Sequence, residues 1–194
     1  MNKLLALLLL LCSPALWAFS ESELVNLLRQ PHNVQGEFVQ QRFLKALEKP
    51  INTQGKFVLL TNKGLLWQME KPFVNQMRVQ ANGITQWNGQ QWVANANLSQ
   101  SDQIRLFLGL LSGDLAALKA QFDVNLSGTA QHWQLKLIPN SLLMKQIFTQ
   151  IELQGDNNVK QIQLDETQGD KTLILFNQIQ QNQALSPFAQ SALE

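Results

Sequence analysis

His32 and His132 are the only imidazoles in the 194-residue chain, and Cys12 is the only thiol. A zinc site needs three or four nitrogen, sulfur or carboxylate ligands converging on one point, and two isolated histidines without a thiol partner do not supply them. The serines fall at turn and helix-start positions, and no Gly-x-Ser-x-Gly elbow presents one as a nucleophile. No glycine-rich loop is spaced to cradle a phosphate or a dinucleotide. The acids are scattered singly, so no carboxylate pair can be named for general acid–base work. The sequence therefore points away from an enzyme, a metal or a cofactor, and toward whatever its apolar residues can do.

Those residues begin with a leader. Lys3 precedes the run LLALLLLL, followed by Ser13, Pro14 and the small residues Ala15 and Ala18, the three-part pattern of a secretory signal. Cleavage is expected after Ala18, with Ala15 as the alternative, so residues 1–18 read as signal peptide and 19–194 as one exported, soluble domain. The run is too short to span a bilayer, and none further along approaches the length needed. Cys12 follows the bulky Leu11, a poor context for lipid modification of a mature N-terminal cysteine. Without it the mature chain has neither disulfide nor thiolate chemistry.

Only 15% of residues are charged, against 45% hydrophobic, which argues for a packed core over disorder. The leader contains Lys3 and no acid, leaving 14 bases against 14 acids. A neutral chain without a basic stripe carries no electrostatic footprint for nucleic acid or anionic membrane. Polarity comes instead from Gln and Asn, 43 of the 194 residues.

The elements that must position the apolar residues are mostly strands. Ser20 and Glu23 form a capping box, with Phe19 and Leu24 at staple positions, opening a helix through Leu24, Leu27 and Leu28 that stops at Pro31. Strand-like runs follow near 34–47, 51–60, 65–70, 73–80, 83–87 and 91–95, then, after a helical break, near 121–127, 131–138, 147–154, 159–166 and 171–180. Alternation along them is clear. Leu65, Trp67 and Met69 share one face, as do Trp133, Leu135 and Leu137, and Ile151 and Leu153, with amides or charges on the other. A sheet of about eleven strands is roughly 50 Å wide and must curl, and be covered, to hide such a face.

The cover is expected from 99–118, where Ser99 or Ser101 starts a helix, Gly113 ends it and Asp114 caps a second through Leu115 and Leu118. Ile104, Phe107, Leu108 and Leu111 form one stripe at helical spacing. Leu106 and Leu110 lie well off it, so the helix is apolar around most of its circumference. Two readings stand: a helix sandwiched between sheet and first helix, or a helix with part of its surface lining a cavity for an apolar ligand.

The chain resembles the LolA family of periplasmic carriers of outer-membrane lipoproteins. The resemblance rests on Gly36-Glu37-Phe38-Val39-Gln40, on Gly55-Lys56-Phe57 with Leu65-Leu66-Trp67 and Pro72, and on Asn82-Gly83-Ile84-Thr85-Gln86-Trp87, in order and spacing over 34–92. It implies a mainly β, α+β fold, an incomplete, strongly curved antiparallel barrel with a helical lid over its apolar concave face. It also implies a monomeric carrier that binds the acyl chains of a lipoprotein or related lipid. Such a carrier shuttles its cargo from an inner-membrane donor complex toward an outer-membrane acceptor. A non-carrier periplasmic binding, assembly or sensor module using the same fold for protein contacts is the alternative. The residues expected to line the cavity are Phe38, Trp67, Met69, Met77, Val79, Trp133, Leu135 and Ile151 on strands, with Leu106, Phe107, Leu110 and Leu111 on the lid. Acyl chains gain about 0.8 kcal/mol per buried CH₂, so a dry cavity extracts a lipid anchor without catalysis.

The sequence departs from the family where its carriers place an Arg-Pro before the Trp strand, the arginine latching the lid. Here the stretch reads Thr61-Asn62-Lys63-Gly64, leaving the lid without a charged latch unless Lys63 reaches across. The segments Leu111-Ser112-Gly113-Asp114-Leu115 and Trp133 to Pro139 look more like a LolA-related branch than the housekeeping carrier.

Overall fold

In the computed structural model of the chain, the described residues are 19–80, 83–94, 106, 109, 111 and 113–194. Residues 1–18, expected to be a leader, Phe107, Leu110 and the residues 99–105 expected to start the lid helix lie outside them. No helix among the described residues is long and apolar enough to cross a membrane.

Helix α1 (Glu21–Arg29) starts at the capping box: the Ser20 hydroxyl accepts from the Glu23 backbone N–H at 3.3 Å, and the Glu23 carboxylate accepts from the Ser20 N–H at 2.7 Å. Six strands follow, β1 (Asn33–Phe43), β2 (Ile51–Leu60), β3 (Gly64–Lys71), β4 (Asn75–Gln80), β5 (Gly83–Trp87) and β6 (Trp92–Ala94). After a short helix α2 (Leu115–Lys119) come β7 (Phe122–Thr129) and β8 (His132–Pro139), helix α3 (Leu142–Ile147), then β9 (Phe148–Gly155), β10 (Val159–Glu166), β11 (Lys171–Gln181) and a closing helix α4 (Pro187–Leu193). All eleven strands join one antiparallel sheet in the order β6-β5-β4-β3-β2-β1-β11-β10-β9-β8-β7. The sheet is curved and unclosed, with β6 and β7 at its edges.

Alternation sorts the faces as the sequence suggests. Phe38, Phe57, Leu59, Leu65, Trp67 and Val79 from one half join Trp133, Leu135, Leu137, Ile151 and Ile162 from the other in one concave core. Leu24 and Leu28 of α1 and Leu115 and Leu118 of α2 are buried in it, as is Met144 of α3. Asp114 caps α2 by accepting from the Ala117 N–H. Before it Gly113 turns at φ +68°, where a Cβ would also press on Leu28 at 3.1 Å, so glycine answers both demands.

Three differences from the sequence reading have simple causes. The first strand ends at Phe43, because 44–50 turns into a hairpin connection. The stretches 142–147 and 187–193 are helices that the reading did not anticipate, each opened by a serine cap, Ser141 and Ser186, and each too short to show a period. Helix α4 covers the convex face, where Ala189, Ala192 and Leu193 bury Val58, Leu60 and Leu66 in a second, smaller core. Arg78 pins it there. Its Nε donates to Thr85 Oγ1 at 2.8 Å and its Nη1 to the Ala192 carbonyl at 3.0 Å, while its guanidinium lies 4.7 Å from the Trp92 ring centre.

The lid also differs. Lys63 makes no ion pair among the described residues, but Arg29 reaches Asp114 at 3.8 Å and Lys119 pairs with Glu21, so charged contacts do tie α2 to α1.

Candidate functional site

The concave core is not filled throughout. Between β1–β4 and β10–β11 it opens into a cavity of about 280 Å³, near the lower limit of small-molecule sites. Its apolar wall is Leu65, Trp67 and Met69 of β3, Met77 and Val79 of β4, and Leu164 and Ile174 from the far side. These come from alternate positions of neighbouring strands. In register Leu65 faces Val79 and Trp67 faces Met77, so four apolar side chains make a two-by-two patch.

The floor is aromatic. Trp67 stacks on Phe38 with ring centres 3.7 Å apart and meets Phe176 edge-on, and Phe176 in turn meets Phe57. Phe38 is on β1 and Trp67 on β3, with β2 between them. Gly55 is Phe38's partner on that strand, and a Cβ there would strike the Gln68 carbonyl oxygen. Glycine there lets the β3 backbone lie close against β2, and ring stacking of this kind is worth about 0.5–1.5 kcal/mol beyond its buried area.

Toward the end of the strands the lining turns polar, with Gln40, Arg42, Thr53, Asn75, Glu166 and Thr172. Arg42 Nη2 lies 3.3 Å from Glu166 and 3.9 Å from Asp170, and Gln168 donates to both carboxylates. Glu166 is buried, so pairing with the guanidinium offsets the cost of desolvating it. Arg42 Nε and Asn75 Oδ1 are buried with no hydrogen-bond partner among the described residues. The arrangement offers an apolar slot that ends in polar groups with unused bonding capacity. Among the described residues no group of three His, Cys, Asp or Glu could hold a metal.

Of the residues singled out from sequence, Trp67, Met69, Met77 and Val79 line this cavity and Phe38 lies against Trp67. Leu111 is elsewhere, buried beside a void of only about 20 Å³ with Leu28, Phe57 and Leu59. Leu106 is half-buried against the core. Trp133, Leu135 and Ile151 belong to the solidly packed half and do not line the cavity; Trp133 Nε1 donates to the Asp156 carbonyl at 2.6 Å. Phe107 and Leu110 lie outside the described residues. Sequence reasoning missed Arg42, Asn75 and Glu166. Arg42 carries a signal in hindsight, since it continues the inward-facing Phe38, Gln40 parity of β1.

The family model described as outer membrane lipoprotein carrier protein LolA-like matches residues 15–191. No curated protein sequence matches the chain. Among solved structures, the LolA superfamily protein NE2245 of Nitrosomonas europaea is similar, with a TM-score of 0.51 at 9% identity over 91% of this chain and 99% of that one. MucB is similar with a TM-score of 0.52 at 14% identity over 87% of this chain. MucB in the Pseudomonas aeruginosa MucA/MucB complex scores 0.51 at 16% identity over 86%. The chain spans 61% and 57% of those two MucB chains. At these identities the likeness is one of fold.

Proposed function

Because the chain belongs to the family of outer membrane lipoprotein carrier LolA-like proteins, we propose that it is a periplasmic carrier, exported by residues 1–18. In this reading it takes acyl chains of a lipoprotein or related lipid into the concave cavity and shuttles them toward the outer membrane. It does so as a binding protein without catalysis. The observation that carries this reading is the cavity itself, whose apolar wall includes Met69 and Met77, only half-buried, on a concave face that is otherwise core. An acyl chain placed on Trp67, Met69, Met77 and Val79 would leave its polar end beside Arg42 and Asn75, whose unpaired atoms can hydrogen-bond an ester or amide. Such burial makes unaided release slow, so delivery calls for handover to an acceptor.

The test is binding of a fluorescent fatty-acyl probe by the wild type and by the double variant Met69→Gln, Met77→Gln. Both methionines are only half-buried, so the fold should survive. Affinity is expected to fall several-fold, since burial of such a side chain is worth about 1.5–3 kcal/mol. Unchanged affinity in a folded variant would refute the assignment of this cavity. The alternative, a module that binds a protein partner, has in its favour the fold likeness to MucB of the MucA/MucB complex. It predicts that neither protein binds the probe.

A further inference from the structure

Antiparallel pairing sends the β1–β2 connection, the β3–β4 turn, α3 and the β10–β11 turn to the same end of the sheet. Hydrogen bonds join three of these: Lys45 N–H donates to Asp170 at 3.0 Å, and Thr167 N–H and hydroxyl donate to the Ile147 and Gln146 carbonyls. Every exposed large hydrophobic residue among those described lies on this end. They are Phe43, Leu47 and Ile51 around the first connection, Phe73 and Val74 at 78% and 79% exposure on the turn, and Leu142 and Leu143 on α3. The opposite end has none among the described residues. The polar mouth of the cavity, at Arg42, Thr53, Asn75 and Glu166, opens on the same rim.

Lysines are interleaved with these tips. Lys45, Lys49, Lys71 and Lys145 are exposed and make no ion pair among the described residues. Of the nearby acids, Glu70 pairs with Lys56, Glu166 and Asp170 lie back from the surface beside Arg42, and Asp165 is half-buried, so Glu48 and Asp123 are the ones exposed without a cation among the described residues. The other exposed lysines without an ion pair, Lys63 and Lys136, stand on the far turn and mid-strand. The neutral composition thus conceals a local excess of exposed ammonium groups, four lysines against the two acids Glu48 and Asp123 on this rim.

We infer that this rim docks the protein on the surface of an anionic bilayer, with Phe73, Val74, Leu142 and Leu143 entering the headgroup region and the four lysines facing lipid phosphates. Scattered apolar tips flanked by ammonium groups suit a fluid anionic surface, where each group finds its own depth. A protein partner would be expected to meet a contiguous apolar patch with charges kept to its edge. A mouth on the docking rim lets an apolar guest pass between bilayer and cavity without crossing water.

Co-sedimentation with vesicles of phosphatidylcholine, alone or mixed with phosphatidylglycerol, tests this with no cargo present, so its outcome is separate from that of the acyl probe. The wild type should bind the mixed vesicles at least about tenfold more tightly than the neutral ones, and salt should erase the difference. Phe73→Ser with Val74→Ser should weaken binding to both vesicles, and Lys45→Gln, Lys49→Gln, Lys71→Gln and Lys145→Gln together should abolish the preference. All six residues are exposed and outside the cavity, so probe binding should not change. As a second measurement, an environment-sensitive dye on a single cysteine at position 73, in a chain with Cys12→Ser, should shift to the blue on mixed vesicles, whereas the same dye at position 63 should not. Absence of vesicle binding, binding unaltered in both variants, or equal shifts at the two positions would overturn the inference; a rim built for a protein would give one of these.

Discussion

The two halves of the concave face are written in the same pattern and end differently. In the β7–β10 half, Leu137, Ile151 and Ile162 are fully buried beneath helices that fill the curve. In the β3–β4 half, Met69 and Met77 occupy equivalent inward positions and remain half-exposed around a cavity. Alternation decides which face a side chain takes; the covering helices decide whether that face becomes core or container. A greasy inward residue is thus evidence of a binding site only where nothing else has claimed it.

Paired substitutions sharpen this contrast. Leu137→Ala in the filled half should cost about 2–5 kcal/mol, because a rigid surround leaves a cavity behind, whereas Met77→Ala at the open wall should cost less than about 1 kcal/mol. Urea denaturation of both variants checks it, and equal losses would mean that the two halves are one core. A smaller effect is expected on the convex face. Arg78→Met removes the bond to the Ala192 carbonyl and the contact with Trp92, together about 1–2 kcal/mol, with α4 losing amide protection before the strands do in hydrogen exchange. Smallest is Ser20→Ala at the cap of α1, about 1 kcal/mol. Its hydrogen bonds hold the Glu23 carboxyl below the ordinary value of 4.5. A lowered carboxyl pKa stabilises the fold above the unfolded value and ceases to do so as pH falls through the folded one. The gap between variant and wild type should therefore narrow in strong acid, leaving the part due to the bond from the Glu23 N–H to the Ser20 hydroxyl, which does not titrate, as thermal melts across that range will show.

How far the sequence was legible follows the same division. Local patterns survived translation: the Ser20 and Glu23 cap, the eleven strands, the Gly113 and Asp114 boundary and the inward parity of Trp67, Met69, Met77 and Val79. The second core was hidden in plain sight. Phe57-Val58-Leu59-Leu60 is continuously apolar, as a strand buried on both faces must be, and Ser186-Pro187 is a cap followed by the residue that best starts a helix. What no local pattern could reveal is the meeting of Arg42 with Glu166, 124 residues apart, or the gathering of unpaired lysines on one rim. Both follow from register, a property of the assembled sheet.

The absence of a ladder between β6 and β7 has a mechanical consequence. A closed barrel has a circumference set by its strand number and shear, so a bulkier guest would have to rupture backbone hydrogen bonds. This sheet is an open band. Its radius can grow through small changes in twist shared among its neighbouring strands, with every rung of the ladder kept, so the capacity of the cavity is elastic where that of a barrel is fixed.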